Sequence, residues 1–263
     1  MQDLGDRMKE YESRETGRRL LPRLPVYARI DGRSFSKFTS DLRGPYDERF
    51  TRCMVETTKY LVDQTDALIG YTQSDEISLG WYNEKLDSQM FFNGKLYKLT
   101  SILAAMATAK FNQMIQQELP WKADKLPLFD ARVFNVPTQD ELVNAFLWRE
   151  QDATKNAISM AARSCFSHKK MHGLSGKEMQ EKMWQENGVN FNDYPAFFKR
   201  GTWVRKRTVE RHLTVAEQMA IPEAHRPTGP VLRNQTVAVD VPPFVKVTNR
   251  RDFIFTDAEP VTE

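Results

Sequence analysis

The amino-acid sequence predicts an α+β fold: a ferredoxin-like βαββαβ core with additional helices and an irregular C-terminal extension. Three observations carry that expectation. Apolar and polar residues alternate over 26–31, 76–81 and 128–136, the two-residue period of a half-buried strand. Apolar residues recur at three- and four-residue spacing over 47–64 and 96–119, the period of a helix with one buried face. With a further short strand over 67–71, the order becomes strand, helix, strand, strand, helix, strand, which is the split βαβ arrangement.

Each element has a local cause. Residues 1–20 are rich in charge and place Leu4, Met8 and Tyr11 at helical spacing, so a short amphipathic helix opens the chain. Pro22 and Pro25 force extended backbone and lead into the first strand, where Val26, Ala28 and Ile30 alternate with Tyr27, Arg29 and Asp31. That strand ends at Asp31-Gly32, where glycine permits a sharp turn. Asp47 is a candidate N-cap for the helix over 47–64, whose apolar side holds Phe50, Met54 and Leu61. The strands over 67–71 and 76–81, joined through Thr72-Gln73-Ser74, form a β-hairpin with Asp75-Glu76 at or near its tip. Alanines with Leu99, Leu103, Met106, Phe111 and Ile115 predict a long helix that Pro120 stops. Phe129, Ala131 and Val133 mark the fourth strand of the core.

Beyond Pro137 the pattern predicts helices over 139–167 and about 175–187, the second closed by Gly188. Six of the 13 prolines fall at 222–260, so the tail is expected to be irregular with short strands. The chain thus divides into residues 1–138, a palm-like core with its N-terminal helix, and 139–263, a helical and C-terminal extension expected to pack on that core.

Composition narrows the class. A chain of 263 residues with 40% hydrophobic and 28% charged residues has the balance of a globular protein rather than a disordered one. No apolar run approaches the roughly 20 residues of a membrane span. Residues 1–15 lack the apolar stretch of a signal peptide. Two cysteines, Cys53 and Cys165, make neither a disulfide framework nor a four-cysteine zinc site. A cytoplasmic protein without a membrane partner is the expectation. The 38 basic and 35 acidic residues nearly cancel to +3, so the positions of the charges matter more than their sum.

In a ferredoxin-like sheet the first strand lies beside the central hairpin, so Asp31 and Asp75-Glu76 are expected to converge on one edge of the sheet. Clustered carboxylates repel, and a divalent cation between them removes the repulsion. Mg²⁺ takes one or two carboxylates together with water and substrate phosphates, and two such ions suit phosphoryl or nucleotidyl transfer. Palm domains of polymerases and nucleotide cyclases use this arrangement. The segment from Gly32 through Arg33, Ser34 and Phe35 to Phe38 offers turn amides that can cradle a triphosphate. Lys37 and Arg43 supply nearby charge, as Lys95 and Lys98 do from the start of the second long helix. Lys199, Arg200, Arg205, Lys206, Arg207 and Arg211, interleaved with Phe197, Phe198 and Trp203 and opposed locally by Glu210 alone, form a candidate RNA-contacting stretch. His168 and His172 are spaced as helical zinc ligands, but no third ligand is evident near them.

Several of these segments resemble one family. Arg29-Ile30-Asp31-Gly32-Arg33-Ser34-Phe35 followed by Phe38 looks like the RxDGRxFxxF segment of the tRNA-His guanylyltransferases. Tyr71-Thr72-Gln73-Ser74-Asp75-Glu76-Ile77-Ser78 resembles their YGQSDEYS motif. Phe129-Asp130-Ala131-Arg132, Trp148-Arg149 with Asp152, and Lys199-Arg200-Gly201-Thr202 match later blocks in the same order, over about residues 4–204. The resemblance implies a palm-type enzyme that adds nucleotides in the 3′-to-5′ direction to the 5′ end of tRNA, using ATP, GTP and other NTPs. It implies two Mg²⁺ ions held by Asp31, the Gly32 carbonyl and Asp75, with Glu76 beside them as a further catalytic carboxylate. Gly32, Arg33, Ser34, Phe35, Arg43, Asp47, Ser74, Lys95 and Lys98 are the nucleotide- and phosphate-binding positions, and Lys199, Arg200, Arg205, Lys206 and Arg207 the RNA-binding ones. A homotetramer is expected, as is common in the family.

The departures from the pattern are informative. Where the tRNA-His enzymes carry His-Ile-Asn-Asn, this chain reads Thr154-Lys155-Asn156-Ala157, and Ser36 replaces a histidine. The opening Gly5-Asp6-Arg7-Met8-Lys9 and the Ser167-His168-Lys169 segment look like bacterial and phage relatives, which points to repair of truncated tRNA 5′ ends. Two other classes share part of the pattern. A palm-type nucleotide cyclase shares the carboxylates but has no use for a basic, aromatic stretch. A non-catalytic ferredoxin-like RNA-binding module has no use for clustered carboxylates.

Overall fold

The computed structural model describes residues 3–85 and 90–262. Helix α1 (Leu4–Thr16) is followed by β1 (Val26–Gly32), the single turn α2 (Phe35–Phe38), α3 (Glu48–Thr65), β2 (Ile69–Gln73), β3 (Glu76–Trp81), α4 (Leu96–Glu118) and β4 (Phe129–Asn135). Then come α5 (Gln139–Cys165), α6 (His168–Met171), α7 (Gly176–Asn187), α8 (Ala196–Arg200), β5 (Thr202–Arg211), α9 (Val215–Met219), β6 (Val231–Val239) and α10 (Arg250–Phe255). The six strands form one antiparallel sheet in the order β4-β1-β3-β2-β5-β6. Its first four strands have the ferredoxin-like order the sequence predicts.

Strand alternation sorts the two faces. Ala28 and Ile30 of β1 and Ile77 and Leu79 of β3 join Leu61, Leu103, Phe111 and Ile115 of α3 and α4 in one buried cluster. On the opposite face Tyr27, Ile69, Tyr71 and Trp203 pack with Phe146 of α5 and with Phe244 and Phe253 from the C-terminal segment. The extension therefore covers the second face of the core sheet and adds β5 and β6 to its edge.

Two boundaries differ from the sequence reading. The second strand is displaced by two residues from the expected 67–71 to Ile69–Gln73, because Thr72 and Gln73 pair with Ile77 and Glu76 and the Thr72 hydroxyl donates to the Glu76 carbonyl at 2.9 Å. Polar residues here serve the ladder rather than the turn, and only Ser74-Asp75 remain at the tip. The tail is also more regular than its prolines suggest. Those prolines lie outside β6, which pairs with β5 from Trp203↔Val239 to Arg211↔Val231.

Candidate active site

Asp31 lies at the end of β1, across from Glu76 of β3 on one side and Asp130 of β4 on the other. The Gly32 N–H donates to the Asp75 carbonyl at 3.0 Å and ties the strand end to the hairpin tip. Asp31, Gly32, Asp75 and Glu76, distant in sequence, are thus brought together at one end of the sheet. A Cβ on Gly32 would fall 2.4 Å from the Phe35 ring, so this close approach requires glycine. The Phe35 ring is buried against Phe38, Phe50, Phe111 and Phe129 with centroids 5.0–6.1 Å apart. Its side chain belongs to the core, and only its backbone is left for a ligand. Ser34 enters the turn in left-handed conformation, φ 60°, and Arg33 beside it is exposed.

The carboxylates divide into two kinds. Glu76 is buried, and its two oxygens accept from Arg149, Nε at 2.6 Å and Nη2 at 2.8 Å. Arg149 Nη2 also donates to Asp152 at 3.0 Å, and Asn156 donates to the same oxygen at 3.3 Å. Burial pushes the Glu76 carboxyl above its ordinary value, against the opposing pull of Arg149. Asp31 and Asp75 are half-buried, and among the described residues no basic side chain pairs with either. Burial raises the Asp75 carboxyl and the charge of Asp31 adds to the rise, while its own backbone and the Ser74 hydroxyl pull it down.

That unpaired couple fits a hard cation. Among the described residues no three His, Cys, Asp or Glu side chains group as a metal site. A cation held here would draw on two carboxylates, main-chain oxygen, water and substrate phosphate, the donor set Mg²⁺ prefers. With both oxygens clasped by Arg149, Glu76 fixes the hairpin to α5 and is not a free ligand in this geometry.

A cavity of about 370 Å³ opens beside the tip. Arg43, Asp47 and Ser74 line it, together with Asn156, with Phe197 and Phe198, which the sequence reading assigned to an RNA-contacting stretch, and with Arg163, which it did not single out. Asp47 caps α3, accepting from the Arg49 backbone at 2.9 Å and from its guanidinium at 2.6 and 3.0 Å. The Arg49 guanidinium holds the Asp47 carboxyl down at about 2, against the effect of burial. A signal for the α5 residues did exist: Arg149, Asp152 and Asn156 recur at three- and four-residue spacing, one turn apart on one helical face.

Other predicted positions are corrected. Lys95 and Lys98 stand at the opposite end of the sheet. Leu96 N–H donates to Arg18 and Leu20 N–H to Gly94, while Leu21 donates to Asn135, the last residue of β4. The start of α4 is therefore beside the end of β4, whereas the carboxylates are beside its beginning. Lys98 lies 4.6 Å over the Phe92 ring.

The basic stretch is mostly neutralised from within. Arg205 is buried, donates to the Phe253 carbonyl at 2.7 Å and pairs with Asp257 at 2.8 Å, so it cannot meet RNA. Lys206 pairs with Asp66, Arg207 with Glu259 and Asp257, and Arg211 with Glu217. The compensating acids come from distant sequence, which is why a local charge count missed them. Lys199 donates to the Asn192 carbonyl, and Arg200 has no ion pair among the described residues.

The sequence model of the tRNAHis guanylyltransferases matches residues 5–137, half of the chain. The chain belongs to the tRNAHis guanylyltransferase family. It is similar to a bacterial tRNAHis guanylyltransferase-like protein solved in complex with ATP, with 37% identity and a TM-score of 0.79 over 96% of this chain and 100% of that one. A GTP complex under the same description matches with 35% identity and a TM-score of 0.75, over 96% and 99% of the two chains. The tRNA(His) guanylyltransferase of Saccharomyces cerevisiae is 27% identical over 81% of this chain and 94% of its own length. An uncharacterized protein of Acanthamoeba polyphaga mimivirus is 28% identical over 79% of this chain and 78% of its own length. The chain is therefore an enzyme of this nucleotidyltransferase family, built on an α+β palm-like core.

Proposed function

We propose that this enzyme is a Mg²⁺-dependent nucleotidyltransferase that adds nucleotides in the 3′-to-5′ direction to the 5′ end of tRNA. The observation that carries the proposal is the unpaired Asp31–Asp75 couple at the sheet end, beside a cavity lined by Arg43 and Ser74. Asp31, the Gly32 carbonyl and Asp75 would hold two Mg²⁺ ions. When bound, they supply charge stabilisation for the attacking and leaving oxygens of the transfer. The Gly32 and Arg33 amides are bonded to the Asp75 and Leu128 carbonyls, so the amides that would meet a triphosphate are those of Ser34, Phe35 and Ser36 at the start of α2, where helical amides have no partner within the helix, and Arg33 and Arg43 add positive charge. Arg149 keeps the hairpin in register through Glu76, so the position of Asp75 does not depend on a mobile tip.

In this reading the tRNA 5′ end is activated by ATP as an adenylylated end, or enters as a triphosphate. The 3′-hydroxyl of an incoming nucleotide then attacks the activated phosphorus, gives up its proton and forms the new phosphodiester, while the bond to the leaving group breaks and releases AMP from an adenylylated end or pyrophosphate from a triphosphate end. Thr154-Lys155-Asn156-Ala157, in place of the family's His-Ile-Asn-Asn, supports template-directed repair over addition of one guanylate to tRNA-His. We further propose action in the cytoplasm as a homotetramer.

The test is extension of a 5′-truncated tRNA with ATP, Mg²⁺ and each NTP separately, on templates that differ at the first acceptor-stem pair. The expected product is one nucleotide longer, tracks the template base, and is lost on chelation of Mg²⁺. Asp75→Ala is expected to lower the rate by a factor of about 10³, the scale of losing one group that stabilises developing charge. Guanylate added regardless of template would restore the tRNA-His reading. Full activity in Asp75→Ala, or cyclic nucleotide made without RNA, would overturn the mechanism.

A further inference from the structure

Among the described residues, one group of cations, Lys155, Lys199 and Arg200, makes no ion pair. Arg200 ends α8, and its carbonyl accepts from the Tyr71 hydroxyl at 2.7 Å. The next residue, Gly201, has φ +77°, and a Cβ there would fall 2.6 Å from both the Thr72 carbonyl and the Tyr71 hydroxyl. This turn is therefore clamped onto β2, the strand that leads into the Ser74-Asp75 tip. The Arg200 Nε is buried without a hydrogen-bond partner. Lys199 stands beside it, and burial together with the Arg200 charge lowers the Lys199 ammonium below its ordinary value.

Both side chains line a second cavity of about 430 Å³, separate from the one at the hairpin tip, which Lys155 and Thr154 of α5 and Asn192 also line. Glu150 faces it as well. Its oxygens, however, accept from the Phe244 N–H at 2.6 Å and the Trp203 indole at 3.3 Å, and burial pushes its carboxyl up to about 7. Three cations, Lys155, Lys199 and Arg200, thus share the cavity lining with one carboxyl whose oxygens are already engaged, and Asp193 acts on Lys199 from outside that lining. Like charges gathered in a partly buried cavity repel, and a bound anion reverses that cost.

We propose that this cavity binds a backbone phosphate of the tRNA substrate, held by Lys155, Lys199 and Arg200. The proposal rests on the reading that tRNA is the substrate. A phosphodiester carries one negative charge, which suits a cavity where Glu150 also points inward. A free triphosphate carries several and would meet that carboxylate. Phosphate contacts of this kind fix orientation rather than read sequence. Because the turn that carries Arg200 is clamped to β2, a phosphate held here would set the RNA against the strand that ends at the catalytic tip.

The test is tRNA binding as a function of salt, without NTP, for wild type and for Lys155→Gln, Lys155→Arg, Arg200→Gln and Lys177→Gln. Lys155 is exposed, so its replacement does not threaten the fold. Lys177 is an exposed residue of α7 outside the cavity. Lys155→Gln and Arg200→Gln are each expected to reduce the slope of log K against log salt by about 1 and to weaken binding about tenfold at 0.1 M salt. Lys155→Arg should keep the wild-type slope, Lys177→Gln should leave it unchanged, and ATP affinity should not move in any of them. An unchanged slope in Lys155→Gln and Arg200→Gln overturns the proposal. So does a fall in affinity for ATP or inorganic phosphate in place of tRNA. The functional reading fails separately: if wild type shows these slopes but does not extend tRNA, the phosphate site stands and the proposed activity falls. A wild type that does not bind tRNA removes both.

Discussion

The two faces of the same central strands are built from opposite chemistry. Toward α3 and α4, β1 and β3 present Ala28, Ile30, Ile77 and Leu79, all fully buried in a hydrocarbon core. Toward α5 they present Tyr27, Arg29, Asp31, Glu76 and Ser78, a polar row in which the Tyr27 hydroxyl meets the Ser78 hydroxyl at 2.6 Å and Glu76 meets Arg149. Burial alone stabilises the first face. The second is stable only where each polar group finds its partner, because an unpaired buried charge costs several kcal/mol. The side-chain period of a strand is two, so a slip of one residue would exchange the faces and destroy both. The apolar face therefore fixes the register that sets Asp31 beside Glu76 and the Asp75 tip.

The sharpest way to break this contrast is to unpair the polar face. Arg149→Leu removes both hydrogen bonds to the buried Glu76 carboxylate and leaves it only Arg29, at 4.0 Å, and is expected to destabilise the fold by about 3 kcal/mol. The double variant Glu76→Gln with Arg149→Met removes both charges, and most of that stability should return. Urea unfolding of the two variants decides it. A double variant as unstable as the single one would mean that packing against α5, rather than charge pairing, holds this face together.

A smaller effect tests the same idea one residue along α5. The Glu150 carboxyl is raised by burial from 4.5 to about 7, so the folded state binds its proton more tightly than the unfolded state does. Its effect is neutral below about pH 4.5. Above that, stability falls as pH rises toward 7, by up to about 3 kcal/mol. Glu150→Gln keeps an acceptor for the Phe244 N–H and cannot ionise. The variant should match wild type near pH 4.5 and exceed it by about 1–3 kcal/mol at pH 8. Parallel pH profiles would show that Glu150 is better solvated or better paired than its burial implies.

Much of this was legible in the sequence because it obeys local periods. The alternation at 26–31 and 76–81 placed Asp31 and Glu76 on one face, and Gly32 and Pro120 ended their elements where the structure ends them. What was not legible depends on contacts across the chain. Nothing near Arg205 in sequence announces Asp257 or the Phe253 carbonyl, so a basic stretch read as an RNA surface is largely a set of internal ion pairs. Lys95 and Lys98 carry the right charge, but α4 starts at the wrong end of the sheet, which only the direction of each strand reveals. Cavity residues such as Phe197 and Arg163 meet through the packing of α8 against α5, and no spacing rule connects them.

The smallest expected effect separates two roles of one residue. Asp47 caps α3 under the apolar face and also lines the cavity at the hairpin tip. Because Arg49 depresses its carboxyl to about 2, the charge stabilises the fold above pH 3.8, and that contribution is lost as pH falls through 2. Asp47→Ala should cost about 1–2 kcal/mol at pH 7, the size of a lost N-cap, and the gap to wild type should narrow toward pH 2. Asp47→Asn keeps a capping oxygen and loses only the charge, so its cost should be below about 1 kcal/mol. If ATP affinity in Asp47→Asn equals wild type, the residue belongs to the scaffold of the apolar face. If affinity falls several-fold while stability holds, Asp47 also serves the nucleotide, and the division between a structural face and a chemical one is crossed at the start of α3.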